Sequence, residues 1–357
     1  MPGARRPARP RPGPGRSARR VLAAAVAAGA AALAAAAPAA ADPPRPTDHR
    51  STVTAVDPAV DGLEVRVVGG DAFLEISVAE GHEVVVEGYS EEPYLRVRDD
   101  GTVERNRRSP ATYLNEDREG AVALPAAADP GAEPEWERVA GGGTYAWHDH
   151  RIHWMGGGDP PGAEPGAVVQ EWTVPLTVDG TRVEVRGELV VAEDVSPVPW
   201  AALALVAGGL VAVAGTRRRP LATRVAAGAT LVVALGAVLA AWSTYRLAPP
   251  GSGASPVPVA VAAVGAVAAA AGLALGAGTA GVVATLAAAA AVAGWGLLRA
   301  EVLWTPVLPT DLPFAVDRAV TALALGVPVG AAAVVVWAGG LAAVPDGHAR
   351  PGAPEPG

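Results

Sequence analysis

From Val198 onward the chain is built from long apolar runs, and this feature constrains its fold more than any other. The runs cover approximately 198–215, 222–242, 256–276, 279–298 and 319–340. Each is close to the ~20 residues that an α-helix needs to cross a hydrocarbon core about 30 Å thick. A bilayer offers no water to a backbone polar group, so segments of this length must satisfy their hydrogen bonds internally, as helices do. The sequence therefore predicts an all-α membrane bundle of five helices over 198–340. Its span interiors carry no Asp, Glu, Lys, Arg or His, groups that pumps and proton-coupled transporters place within the bilayer. Gly265/Ala269 and Gly272/Gly276 have the small-xxx-small spacing that lets helix backbones approach. A packed anchor is the plain reading.

Charge sets the expected orientation. Arg217, Arg218 and Arg219, with Arg224 nearby, lie between the first and second spans, and such clusters stay in the cytoplasm. Residues before Val198 then lie outside the cell membrane. With five spans the tail, 341–357, is cytoplasmic. Trp200, Trp242, Trp295, Trp304 and Trp337 fall at or near span ends, where an interfacial aromatic belt would put them. The loop 299–318 faces outside, stiffened by Pro306, Pro309 and Pro313, and can touch whatever precedes the bundle.

The amino terminus agrees with export. Residues 1–20 are rich in Arg, Pro and Gly, an apolar run follows from Val21 to Ala37, and Ala39 to Ala41 supply an A-x-A site. Residues 1–41 read as a signal peptide cleaved after Ala41, with an uncleaved anchor as the alternative. Either version exports residues 42–197.

That exported domain reads as all-β. Leu63, Val65 and Val67 alternate with polar residues, as do Leu74, Ile76 and Val78, then Val84 and Val86, then Leu95 and Val97. A period of two marks half-buried strands. The clearest hairpin pairs Trp172, Val174, Leu176 and Val178 with Val183, Val185, Leu189 and Val191 across Asp179-Gly180. Several short strands with turn signals suggest an Ig-like or related β-sandwich. Residues 42–50 read as an extended lead-in, and the Pro-, Ala- and Gly-rich stretch 121–143 as a long surface loop. The chain has no cysteine, which removes disulfides, thiolate metal sites and thiol nucleophiles. Residues 42–197 hold 31 Asp and Glu against 13 Arg, a net of −18, which argues against binding nucleic acid or anionic headgroups.

Three of the six histidines fall within six residues, in Tyr145-Ala146-Trp147-His148-Asp149-His150-Arg151-Ile152-His153-Trp154-Met155. As a strand this segment places His148, His150 and Trp154 on one face, and two imidazoles at i and i+2 can share a metal. A turn after Arg151 is needed to bring in His153 or Met155. Asp149, His49 and His82 could complete a site. Nitrogen and oxygen ligands without thiolate suit Cu(II) or Zn(II), and Met155 adds some preference for copper. The same side chains could instead form a hydrogen-bonded corner, with Arg151 stacked on Trp147 or Trp154 and Asp149 orienting a histidine. Catalysis is a third reading: Asp149 could serve as an acid or base, but no G-x-S-x-G motif accompanies it, and Ser109 lies in a polar loop without a glycine pair.

PYLRVRDDG (93–101), NRRSPATYLNEDR (106–118), YAWHDHRIHWM (145–155) and WTVPL (172–176) resemble a group of uncharacterised actinobacterial membrane proteins. The resemblance implies this plan of an exported domain before a membrane bundle, and carries no activity with it. In architecture the chain also resembles copper-resistance proteins that join a small exported β-domain to a membrane domain. It departs from them in reaching its first histidine only at His49 and in lacking polar ligands within its spans. The sequence thus points to an envelope protein that lies in the lipid bilayer and binds Cu(II) or Zn(II) through His148, His150 and His153. The alternative is a metal-free scaffold that binds another envelope protein.

Overall fold

The computed structural model describes residues 44–156, 160, 162–217, 221–249 and 254–337. The signal-peptide and cytoplasmic-tail expectations, and Arg218 and Arg219 of the basic cluster, lie outside the described residues.

Among the described residues, ten strands form two antiparallel sheets. They are β1 (His49–Asp57), β2 (Leu63–Val68), β3 (Phe73–Val78), β4 (Val84–Glu87), β5 (Pro93–Val97), β6 (Val103–Asn106), β7 (Trp136–Ala140), β8 (Thr144–Trp147), β9 (Val168–Val178) and β10 (Thr181–Val191). One sheet has seven strands in the order β1-β10-β9-β4-β5-β6-β7, and the other has three, β2-β3-β8. The alternating apolar positions build one core between them: Leu74, Ile76, Val84, Val86, Leu95, Val97, Trp172, Val174, Leu176, Val183 and Val185 are all buried. Removing each such side chain from water is worth roughly 1.5–3 kcal/mol. The expected hairpin is present, with Leu176 opposite Val183 and Val174 opposite Val185. Its turn takes positive φ at both Asp179 (49°) and Gly180 (79°), the combination that matches the strand twist. The seven-to-three division makes this a sandwich in the general sense.

Two local expectations need correction. The stretch 121–143 is not all loop, because Trp136–Ala140 pairs with β6 as an edge strand. Its Pro and Gly neighbours conceal five extended residues, and Trp136 lies under the Arg96 guanidinium, 4.4 Å from ring centroid to Cζ. The lead-in is also shorter than expected, since β1 begins at His49 and pairs along β10.

Among the described residues five helices follow, each long and apolar enough to cross a bilayer: α1 (Val198–Arg217), α2 (Ala222–Leu247), α3 (Val257–Leu275), α4 (Thr279–Leu298) and α5 (Phe314–Trp337). Gly265 and Gly272 face α4, where an added Cβ would meet Val292 at 2.9 Å and Thr285 at 2.4 Å. A closer contact joins α1 to α5. There a Cβ on Gly326 would lie 1.9 Å from the Ala204 carbonyl oxygen, and one on Gly330 would lie 2.2 Å from that of Gly208. Trp242, Trp304 and Trp337 are exposed as a belt requires, but Trp295 is buried, with the Arg299 guanidinium 5.2 Å from its ring. The last helix starts five residues before the expected span, so it takes in Asp317 and Arg318. Both are buried: Asp317 accepts two 2.9 Å bonds from Arg299, and Arg318 donates to the carbonyls of Val302, Thr305 and Pro306.

The loop after α4 docks on the β-domain, as its placement suggested. Thr47 and Val307 exchange two backbone hydrogen bonds of 3.0 and 3.1 Å. Gly70, at φ 87°, lies so close that a Cβ would sit 2.6 Å from the Val307 side chain. Leu247, at the end of α2, packs against Val68, Ala72 and Phe73.

Candidate functional site

β8 carries Trp147 into the sandwich core and ends there, so the histidine segment is a turn and not a strand. Its organiser is Asp149, fully buried. The carboxylate accepts the Trp147 indole N–H at 2.9 Å, the Arg151 backbone N–H at 3.1 Å, and the Arg151 Nε and Nη2 at 2.8 and 2.7 Å. Burial alone would raise the Asp149 pKa, but the charge and hydrogen bonds of Arg151, with the Trp147 N–H, hold it below the usual carboxylate range. The Ile152 N–H returns to the Asp149 carbonyl at 3.1 Å, closing the turn and seating Ile152 in the core. Gln170 of β9 then donates to the carbonyls of Arg151 and His153.

Tyr89 is the second organiser. Its hydroxyl accepts the His150 backbone N–H at 2.9 Å and donates to Asn115. Its ring stacks on His150, with centroids 5.6 Å apart, and lies 5.1 Å from the Arg151 guanidinium carbon. Burial, then the nearby Asp149 charge, raises the Tyr89 pKa, so the phenol stays protonated.

The turn brings His150 and His153 together, edge to face with centroids 5.5 Å apart. His150 Nε2–H donates to the Asp117 carbonyl at 2.9 Å. His153 Nδ1–H points to the Trp154 carbonyl at 3.3 Å, and its Nε2 is buried with no hydrogen-bond partner. Burial, followed by the charge of Arg118, lowers the His153 pKa to about 3, so the ring is neutral. His148 turns the other way, packing on Phe73 with ring centroids 4.4 Å apart. It lines a polar cleft of about 310 Å³ with His49, Arg118, Glu119 and Glu301, between the β-domain and the loop of the bundle. Arg118 reaches across to the buried Asp71 at 2.7 Å.

The sequence-derived candidates therefore separate. His150 and His153 form one pair, and His148 and His49 share a cleft. His82 binds Asp179 at 2.7 Å on the β9–β10 turn, and Met155 is exposed. Asp149 is engaged by Trp147 and Arg151. Among the described residues, no three His, Asp or Glu side chains are arranged to hold a metal ion. Sequence reasoning passed over Tyr89, Asn115 and Gln170. Tyr89 sits in a Gly-Tyr-Ser turn that gives no local sign of a partner 61 residues away. Comparison with known proteins returns nothing: no protein-family model, no curated protein and no solved structure matches the chain.

Proposed function

We propose that the chain is a membrane-anchored, non-enzymatic scaffold of the cell envelope, whose acidic β-domain faces outward and binds a basic partner. The observation that carries this reading is the docking of the β-domain on the bundle through Thr47, Gly70 and Val307. A domain held at fixed orientation over its anchor is suited to presenting a surface. The excess of 31 carboxylates over 13 arginines in residues 42–197 selects a cationic partner. Internal use of Asp149, Tyr89 and Arg151 is in keeping with a structural histidine turn. The orientation rests on the arginines at 217–219 and 224.

A second reading, Cu(II) or Zn(II) binding through His148, His150 and His153, is favoured by one observation. His150 and His153 each give a ring N–H to a backbone carbonyl, the arrangement that orients metal-ligating imidazoles, and the remaining His153 nitrogen is buried without a donor. The positive Arg118 beside His153 opposes it.

One experiment separates the two. Full-length protein in nanodiscs is titrated calorimetrically with Cu(II) and Zn(II), alongside a His148→Ala/His150→Ala variant. The scaffold reading expects no stoichiometric binding, and a partner whose association weakens with salt and survives the substitutions. Tight one-to-one binding that the variant loses would replace it with the metal reading.

A further inference from the structure

A cleft of about 350 Å³ opens at the waist of the molecule, where the β-domain meets the bundle. It is lined by Arg50 of β1 and Arg66 of β2 together with the apolar Leu247, Val307 and Phe314. Leu247 ends α2 and Phe314 begins α5, so the cleft lies at the level where two spans leave the hydrocarbon core. In a bilayer that is the headgroup layer on the side of the β-domain.

The charges are asymmetric there. Asp311 also lines the cleft, but Arg246 holds it at 2.5 Å. Arg66 is held by Glu75 at 2.6 Å yet keeps 71% of its side chain exposed. Arg50 is exposed and forms no ion pair among the described residues. Two arginines lining a cleft with apolar residues complement a phosphate joined to acyl chains, and arginine suits phosphate because its planar fork donates two bonds at once. The acidic surface beyond does not cancel this, because charges farther than about 8 Å apart are largely screened at physiological salt.

We propose that this cleft binds a phospholipid through its headgroup phosphate, with Arg50 and Arg66 as the phosphate ligands. The site rests on the reading of the helices as membrane spans, and is independent of which partner the β-domain takes.

The test uses full-length protein in nanodiscs containing phosphatidylglycerol and monogalactosyl diacylglycerol, a lipid without phosphate. Lipids retained after gentle extraction are counted by native mass spectrometry. An arginine at a membrane surface contributes about fivefold in binding, so two give a preference for phospholipid of about 25-fold. Arg50→Gln should lower it about fivefold and Arg50→Gln/Arg66→Gln should abolish it, while Arg182→Gln at the start of β10 leaves it unchanged. Circular dichroism checks that each variant is folded, and both cleft arginines are exposed enough for substitution to spare the core. Equal retention of the two lipids, or a preference that survives in the double variant, overturns the proposal. Inorganic phosphate is titrated separately into lipid-free protein in detergent. Binding there as tight as that of the lipid, with the same arginine dependence, overturns the lipid and leaves a free-anion site. Incorporation into nanodiscs in every lipid arm keeps failure of the site distinct from failure of the membrane reading.

Discussion

Asp149→Asn tests whether the histidine turn is a structural corner. The substitution keeps the shape of the side chain and removes its charge, and it sets an amide NH₂ group near donors that Asp149 now accepts. Arg151, whose side chain is 20% exposed, is left facing a neutral group, while Asp149 itself is fully buried. Breaking a buried pair by removing one partner costs about 3–5 kcal/mol. Water reaching the exposed fifth of Arg151 places this case at the lower end, about 3 kcal/mol. For a domain of this size that is roughly 6–12 °C in Tm. The assay is thermal unfolding of the full-length protein in nanodiscs, followed by near-ultraviolet circular dichroism, to which Trp147 and Trp172 contribute. A pH series supplies an independent check. The folded pKa of Asp149 lies below its ordinary 3.8, so its stabilisation is complete above that value and is lost as pH falls below it. The variant should lack this component of acid unfolding. Replacing both partners, Asp149→Asn/Arg151→Met, should recover part of the loss, because no unpaired charge remains. A Tm within about 1 °C of wild type, with an unchanged spectrum, would refute the reasoning.

Two further outcomes follow from distances and burial. His153 has a folded pKa of about 3 against an ordinary 6.5, so the unfolded chain binds a proton between those values that the folded chain does not. Its contribution is therefore complete above pH 6.5 and declines by about 1.4 kcal/mol per unit as pH falls toward 3. His153→Gln should flatten that slope in denaturation measured from pH 7 to 4, and an unchanged slope rules the assignment out. In the bundle, Gly326→Ala puts a Cβ 1.9 Å from the Ala204 carbonyl oxygen and forces α1 from α5, whereas Gly209→Ala meets nothing within 4 Å. The first should cost about 1–3 kcal/mol by the helical signal on heating and the second within about 0.5 kcal/mol, with equal effects disproving the contact.

The parts of the fold legible in the sequence were those that repeat. Val174, Leu176, Val183 and Val185 face one core because a strand reverses its side every residue, and the Asp179-Gly180 turn fixes their register. The five apolar runs were legible for the same reason, each presenting one composition over a full span. What escaped depends on partners distant in sequence. Trp295 has the position of an interfacial residue in the sequence but is buried in a cluster with residues of α2, α3 and α5, and the α1–α5 contact joins glycines 118 positions apart. The histidine turn was visible as a cluster, but its geometry was not. Whether His148 shares a face with His150 is decided by Asp149 closing a turn on Arg151 and by Tyr89 arriving from the other sheet.

The loop between α4 and α5 is where these separate structures become one. Arg318 holds the carbonyls of Val302, Thr305 and Pro306, and the next residue, Val307, pairs with Thr47. Farther along, Thr310 bonds Ser243 and Asp311 bonds Arg246, so the same loop is tied to α2. Arg299 and Asp317 close its two ends with a buried ion pair. Removing a guanidinium buried on three carbonyls would strip those carbonyls of their donors, so Arg318 ties the loop to the start of α5. Thr47 in turn lies two residues before His49 and bonds to Asp71, the partner of Arg118. The path from the histidine cleft to the membrane helices is therefore a short chain of hydrogen bonds. A ligand on the β-domain can influence the bundle by altering contacts along it, or by altering the packing of Leu247 on Val68, Ala72 and Phe73.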